Sequence, residues 1–400
     1  MLGSEGQGIM VIVTTSTALI SIFLGGGLQW SNNYFVGKYK DKINSTFYNS
    51  IFFAIFVGFL IFVIYLLNIY IFFEKYLNRL FILMIFISVP FFLIQQYNQS
   101  ILQGIQNFNK YNLINIIKVA ILSFLYLILL VIFKLNIKFA VYSWLTTIIL
   151  VSVISIFLVY KELDNKKINL NINQLIDSLK VGFRALIIMS LGILLFRSDY
   201  YLINYFLGVN HVGYYSIAVL IAELLFLTPQ IIGQLVFPKA AAQENNLHLL
   251  IAKLNRIIIF YSVASAILLM VLGKPLIRVL LGVDFIRSYY ILFFLLPGIL
   301  FVNAGSTIGY YIGGKEGYPS IFIIIMLLAF LINLLLNFFL IPVLGTIGAA
   351  ISTSIAYIFY ISSYFIILGK KNLIPLKDLI FIKFEDFKDI IMIKNFLIIR

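Results

Sequence analysis

Uncharged stretches long enough to cross a lipid bilayer recur along this 400-residue chain, and that recurrence decides the fold class. Ile9–Gly37, Ile43–Phe73, Leu80–Asn109 and Ser288–Gly314 contain no Asp, Glu, Lys or Arg. About 20 helical residues suffice to span about 30 Å of hydrocarbon, so each stretch exceeds the requirement. With 62% of residues apolar, 11% charged and a mean hydropathy of +1.06, the chain is too apolar for a soluble domain. Gly and Asn recur inside these runs, which membrane helices tolerate because neighbouring helices satisfy the backbone. Period-two alternation is absent, which excludes a closed β-barrel.

Apolar runs and breakers together predict eleven spans, at about 7–30, 46–72, 80–104, 112–133, 139–160, 180–206, 211–236, 256–273, 288–312, 318–340 and 346–368. Connections alternate sides. One side collects nineteen Lys and Arg, among them Lys38, Lys40, Lys42, Lys161, Lys166, Lys167 and the tail from Lys370 to Arg400. The other side collects seven, such as Lys75, Arg79 and Arg287. The positive-inside rule places the richer side, and with it the C-terminus, in the cytoplasm.

The two halves echo one another. Leu2-Gly3 reappears as Leu207-Gly208 at an offset of 205, whereas Pro90 and Pro297, like Tyr111 and Tyr318, are 207 apart. Six helices separate equivalent points. The expected architecture is therefore all-α, with two six-helix bundles of like orientation related by a pseudo-two-fold along the membrane normal and a cavity between them. A full helix precedes Leu207-Gly208, whereas only Met1 precedes Leu2-Gly3, so the repeat implies that the first helix is missing. Domains are expected at 1–168 (a bundle of five spans), 169–368 (a bundle of six spans) and 369–400 (a cytoplasmic amphipathic tail). No basic segment precedes Ile9, so no cleavable signal peptide is read.

The formal charge of +14 resides in short loops rather than on one soluble face, which favours anionic lipid headgroups as partners over nucleic acid. With no Cys, thiol chemistry and disulfides are excluded. A Walker-type phosphate loop is absent, so ATP hydrolysis is not expected. His211 and His248 fall in different loops and make no metal site. Gly313-Gly314, followed by Lys315-Glu316, reads as a tight cytoplasmic turn. No cofactor and no enzymatic chemistry are expected.

The segment FRSDYYLINYFLGVNHVGYYSIAVLIAELLFLTPQIIGQLVFPKAAAQ (Phe196–Gln243) resembles the O-antigen and polysaccharide flippases of the multidrug/oligosaccharidyl-lipid/polysaccharide exporter superfamily. LGSEGQGIMVIV (Leu2–Val13), NFFLIPVLGTIGAAISTSIAYI (Asn337–Ile358) and PLKDLIFIKFEDFK (Pro375–Lys388) are similar to other parts of the same proteins. The resemblance implies a multi-pass protein of the inner (plasma) membrane that flips a polyprenyl-pyrophosphate-linked oligosaccharide by alternating access. It also implies cationic groups in a central cavity.

Five ionisable residues fall inside spans, where charge is costly and usually faces a bundle interior or a wet cavity: Lys118, Arg184, Arg197, Asp199 and Glu223. Arg197 lies too deep to snorkel, and its guanidinium fork suits phosphate oxygens. The alternative is a structural ion pair with Asp199 or Glu223. Arg197 and Asp199 point about 200° apart on a helix, so at least one of them needs a partner elsewhere. Asp199 and Glu223 are candidate coupling groups for a proton or sodium, or else members of structural pairs. Arg184 and Lys118 read as snorkelling cations near the cytoplasmic edge, or as the inner mouth of a phosphate-attracting cavity. Gln95, Gln96, Asn98, Gln99, Gln103 and Gln106 form a polar cluster that either binds helices together or meets a hydroxyl-rich cargo. The competing functions are a drug/cation antiporter of the same superfamily, a membrane-embedded polysaccharide polymerase or ligase, and a fragment without transport activity.

Overall fold

The computed structural model describes residues 3–67, 77–163, 166–241, 247–316, 320–370 and 379, and no strand occurs among them. Eleven of the described helices are long and apolar enough to cross a membrane, the number read from the sequence. The chain is a multi-pass membrane protein that divides into two compact helical units, Met1–Arg197 and Ser198–Arg400. That division falls inside a helix rather than in a loop. Most of the tail from 369 onward lies outside the described residues, as does the side chain of His248.

The first unit holds α1 (Gly3–Leu24), α2 (Leu28–Lys38), α3 (Ile43–Leu66), α4 (Arg79–Gly104), α5 (Phe108–Tyr126), α6 (Ile137–Tyr160) and α7 (Ile172–Leu207) as far as Arg197. A π-helical stretch, Leu127–Ile132, prolongs α5. Asparagines start four of these helices. Asn78, Asn107 and Asn136 each accept a backbone N–H of the first turn through the side chain, satisfying donors that have no intrahelical partner. Between helices, buried hydroxyl and amide pairs replace the hydrophobic drive that lipid cannot supply: Thr17 with Ser88 (2.8 Å), Asn32 with Ser50 (2.8 Å) and Asn98 with Ser155 (2.9 Å).

Helix α7 begins eight residues before the apolar run that announces it. The Asn171 side chain accepts from Gln174 N at 3.0 Å and so caps the helix, whose early turns are polar. Those turns bind α3. Gln174 accepts from Ser45 Oγ (2.6 Å) and donates to Thr46 Oγ1 (2.8 Å), while the Asn49 amide exchanges two hydrogen bonds with the Asn171 backbone. Further along, the α7 backbone at Gly182 meets the break between α1 and α2. Gly27 there has φ +69°, and a Cβ on it would fall on the Gly182 carbonyl. Glycine is needed for both reasons, conformation and closeness.

The second unit holds the rest of α7, α8 (Val209–Glu223), a 3-10 turn (Leu224–Phe226), α9 (Leu227–Ala241), α10 (Leu247–Leu281), α11 (Ile286–Glu316), α12 (Ser320–Leu344) and α13 (Thr346–Lys370). Pro297 interrupts the α11 ladder, and α13 repairs it: Ser354 Oγ donates to Phe294 O at 2.6 Å and accepts from Gly298 N at 3.3 Å. At the 3-10 turn after Glu223, Asn303 Nδ2 donates to Leu225 O (3.1 Å) and Ser262 Oγ (2.9 Å). The expected turn at Gly313-Gly314 is helical instead, because α11 runs on to Glu316. Glycine is a weak helix breaker where a membrane-type bundle satisfies the backbone.

Replacing Gly27 with Ala should lower stability by about 2–4 kcal/mol, from left-handed strain plus overlap with Gly182. Gly208, at φ +90° and ψ 168° with open space around it, has no neighbour for an added Cβ to strike and should lose only the backbone strain, about 1–3 kcal/mol, as Gly208→Ala. Thermal unfolding of the detergent-purified variants separates the two.

Candidate functional site

In the second unit Asp199 is 1% exposed. Its partners are neutral donors from three other helices. Tyr215 of α8 donates to Oδ2 at 2.6 Å, Thr353 of α13 to Oδ2 at 2.5 Å, and Asn337 of α12 to Oδ1 at 2.6 Å. A second tier holds the first. Asn333 Nδ2 donates to Thr353 Oγ1 (3.3 Å), which orients that hydroxyl's proton toward the carboxylate. Asn333 Oδ1 accepts from Asn337 (3.0 Å) and Ser198 (3.4 Å). Tyr200 stands edge-on to Tyr215 with ring centroids 5.9 Å apart and fixes the phenol.

Three donors match the hydrogen-bonding need of this buried carboxyl, and all three are neutral. One acceptor beside it is idle: Asn337 Oδ1 is buried and has no hydrogen-bond partner. Carboxylate oxygens, an amide oxygen and hydroxyl oxygens are the donor set of a hard monovalent cation, and a carboxylate is also a proton acceptor. Among the described residues no group of three or more His, Cys, Asp or Glu could hold a metal ion, so a site built on several acidic ligands is not what these residues offer.

The other residues singled out in the sequence are distributed as follows. Arg197, the last residue of the first unit, is half-buried. It sits back to back with Asp199 on α7, as their 200° separation requires. Glu223 is half-buried at the end of α8, where the helix gives way to the 3-10 turn. Arg184 is exposed on α7. Lys118 is half-buried on α5, its Nζ 5.7 Å from the centroid of the Phe92 ring. Both latter residues lie deeper in their helices than the apolar runs suggest. With α5 starting at Phe108 and α7 at Ile172, they stand about 15 and 18 Å from the helix starts.

Asn333 and Asn337 escaped the sequence reading as site residues. The signal was there: two amides four residues apart, hence on one face, in the most apolar span of the chain. Thr353 carried no comparable mark among the small polar residues of α13. In the first unit, a small cleft opens at the α1–α2 break, lined by Ser21, Gly25, Gln96, Tyr97 and Met189. Tyr97 OH donates to Gly25 O there at 2.9 Å.

A family model described as polysaccharide biosynthesis protein matches residues 1–238. Comparison with curated protein sequences returns no match. Among solved structures, the chain is similar to the lipid II flippase MurJ in its inward closed conformation, with a TM-score of 0.76 and 18% identity over 98% of this chain and 87% of that one. It is also similar to a multidrug resistance MATE family transporter of the MOP superfamily in its inward-facing conformation, with a TM-score of 0.63 and 15% identity over 93% and 91% of the two chains. A third is a MOP superfamily transporter from Pyrococcus furiosus, with a TM-score of 0.59 and 14% identity over 92% and 87%. At these identities the likeness establishes the fold.

Thr353→Val removes one donor to Asp199 and the acceptor of Asn333 Nδ2 together, and should cost about 1.5–3 kcal/mol in thermal unfolding. Tyr215→Phe should cost a similar amount. Because both act on one carboxylate oxygen, the double variant should depart from additivity by about 0.5 kcal/mol or more.

Proposed function

The chain belongs to the polysaccharide biosynthesis protein family, and from that premise we propose that it flips a polyprenyl-pyrophosphate-linked oligosaccharide repeat unit across the inner membrane. The repeat unit would serve O-antigen or another surface polysaccharide. The observation that carries this reading is the pair on α7: a half-buried Arg197 two residues from a buried, neutrally ligated Asp199. One face of the helix offers a cation for phosphate, the other a carboxylate for an ion.

Flipping needs no bond to be made or broken. It needs headgroup and coupling ion to bind two conformations with different affinity. In this mechanism Arg197 holds the pyrophosphate, its fork meeting two oxygens at once. Lys118 and Arg184 draw the anion toward it. Asp199 takes up a proton or sodium with Asn337 Oδ1 and Thr353 beside it, and Glu223 stands as a second coupling carboxylate at the α8 break. Membrane lipids flank the spans, and the richer side of basic loops, with the C-terminus, faces the cytoplasm. The rival reading, a drug/cation antiporter, draws its support from Asp199 as well. It differs in predicting cationic cargo and indifference to Arg197.

In proteoliposomes, Arg197→Ala should slow translocation of the lipid-linked saccharide about 30-fold or more, the loss expected for a charge-assisted phosphate contact of about 2 kcal/mol. Arg197→Lys should recover only part, since it keeps the charge and loses the fork. Unchanged transport by well-inserted Arg197→Ala protein would refute the phosphate site, and export of an organic cation at the wild-type rate would favour the antiporter.

Asp199→Asn preserves the shape of the buried cluster but not its charge. Translocation should then lose its acceleration by an imposed proton or sodium gradient. A gradient response equal to wild type would remove Asp199 from the coupling role.

A further inference from the structure

The amides of α4 fall into two groups that do different work. Asn98 is 1% exposed and is spent on Ser155 of α6 at 2.9 Å, a helix-to-helix bond of the kind that holds membrane bundles together. Gln99 turns to α5 instead, donating to Asn115 Oδ1 at 2.8 Å across an open face. Gln99 is half-buried and Asn115 is exposed. Behind them Gln95, only 3% exposed, donates to Gln99 Oε1 at 3.4 Å, and its own Oε1 has no partner.

Helical geometry collects these residues into one groove. On α4, Phe92, Gln95, Gln96, Gln99 and Gln103 fall within about 60° of a common direction, and on α5 Tyr111, Asn115 and Lys118 do the same. The opposite face of α5 carries exposed Leu113, Ile116 and Phe124, the composition expected against lipid. An exposed Asn115, with a half-buried Gln99 and ammonium beside it, is costly against acyl chains, so the groove faces water.

Resting on the flippase reading above, we propose that this α4–α5 groove is the subsite for the saccharide portion of the cargo. An aromatic ring beside fixed amides is the chemistry that recognises sugars. The Phe92 ring face, electron-rich, meets the C–H face of a pyranose, while Gln99, Asn115 and Gln103 supply donors and acceptors to its hydroxyls. Hydrogen-bonded in series, Gln95, Gln99 and Asn115 are held in place before the sugar arrives, which lowers the ordering cost of binding. Lys118, poised 5.7 Å over Phe92, marks the phosphate end. The sugar chain runs from there past Asn115 toward the turn at Gln106, where Gln103 stands exposed.

The test uses the full chain in detergent, native mass spectrometry, and two probes. One probe is the polyprenyl-linked saccharide fraction extracted from the source membranes. The other is the same fraction stripped of sugar by mild acid. Replacing Gln99 and Asn115 together with Leu should cut retention of the saccharide-bearing lipid about tenfold relative to the stripped carrier, the equivalent of two modest hydrogen bonds. Retention of the stripped carrier itself should match wild type. Phe92→Leu should have the same selective effect, and Phe92→Trp should restore binding. Equal losses of both probes, or an unchanged ratio, overturn the subsite while leaving the flippase reading intact. Failure of the unsubstituted protein to retain either probe overturns both.

Discussion

Hydrocarbon supplies no hydrogen bonds, and this one deficit organises the protein. Every interruption of a helix inside the membrane must be repaired by a neighbour, and the repair fixes which helices touch. Pro297 frees carbonyls in α11, and the Ser354 hydroxyl of α13 takes them up. The 3-10 turn after Glu223 leaves Leu225 O to the Asn303 amide of α11. In water either defect would be solvated at little cost and would specify nothing. Here each becomes a contact between defined residues, and together they set the frame in which Asp199 meets its three donors.

The same deficit explains how much was legible in advance. Charge is so costly at depth that uncharged runs reveal the spans, and all eleven were readable from spacing alone. Ends were less legible. α7 and α10 extend well beyond their apolar runs, because a helix leaving the hydrocarbon continues with polar residues that carry no periodic signature. Asn171, with Gln174, Ser45 and Thr46, decides where α7 begins, and those contacts link positions about 125 residues apart. Individual charges were legible for the converse reason: a rare residue in a costly place stands out, as Asp199 did. Its partners did not, being ordinary Tyr, Thr and Asn from helices up to 154 residues away in sequence. Only the i, i+4 spacing of Asn333 and Asn337 gave them a mark.

Helix α7 joins the two readable themes. Its first part is bound to α3 and to the α1–α2 break by side-chain amides and by glycine contact, and its last part carries Asp199 into the polar cluster of the second unit. The boundary between compact units falls between Arg197 and Ser198. In the proposed mechanism the ligand at Arg197 and the ion at Asp199 meet the same helix, two residues apart, from opposite faces. Coupling between two ligands requires that each bias the same structural equilibrium, and a shared helix meets that requirement without a long relay.

Charge balance then constrains the order of events. Asp199 is satisfied in hydrogen bonding by neutral donors alone, none of which brings a counter-charge, and Asn337 Oδ1 nearby has no partner. In the proposed mechanism a cation enters beside Asp199 and pyrophosphate meets Arg197 on the other face, so opposite charges arrive on opposite sides of one helix. Under that mechanism the anion on one face and the cation on the other favour each other's arrival by simple attraction. On electrostatics alone, anion and cation should bind with positive cooperativity, which is the condition for an ion gradient to drive an anionic cargo in the same direction rather than the opposite one.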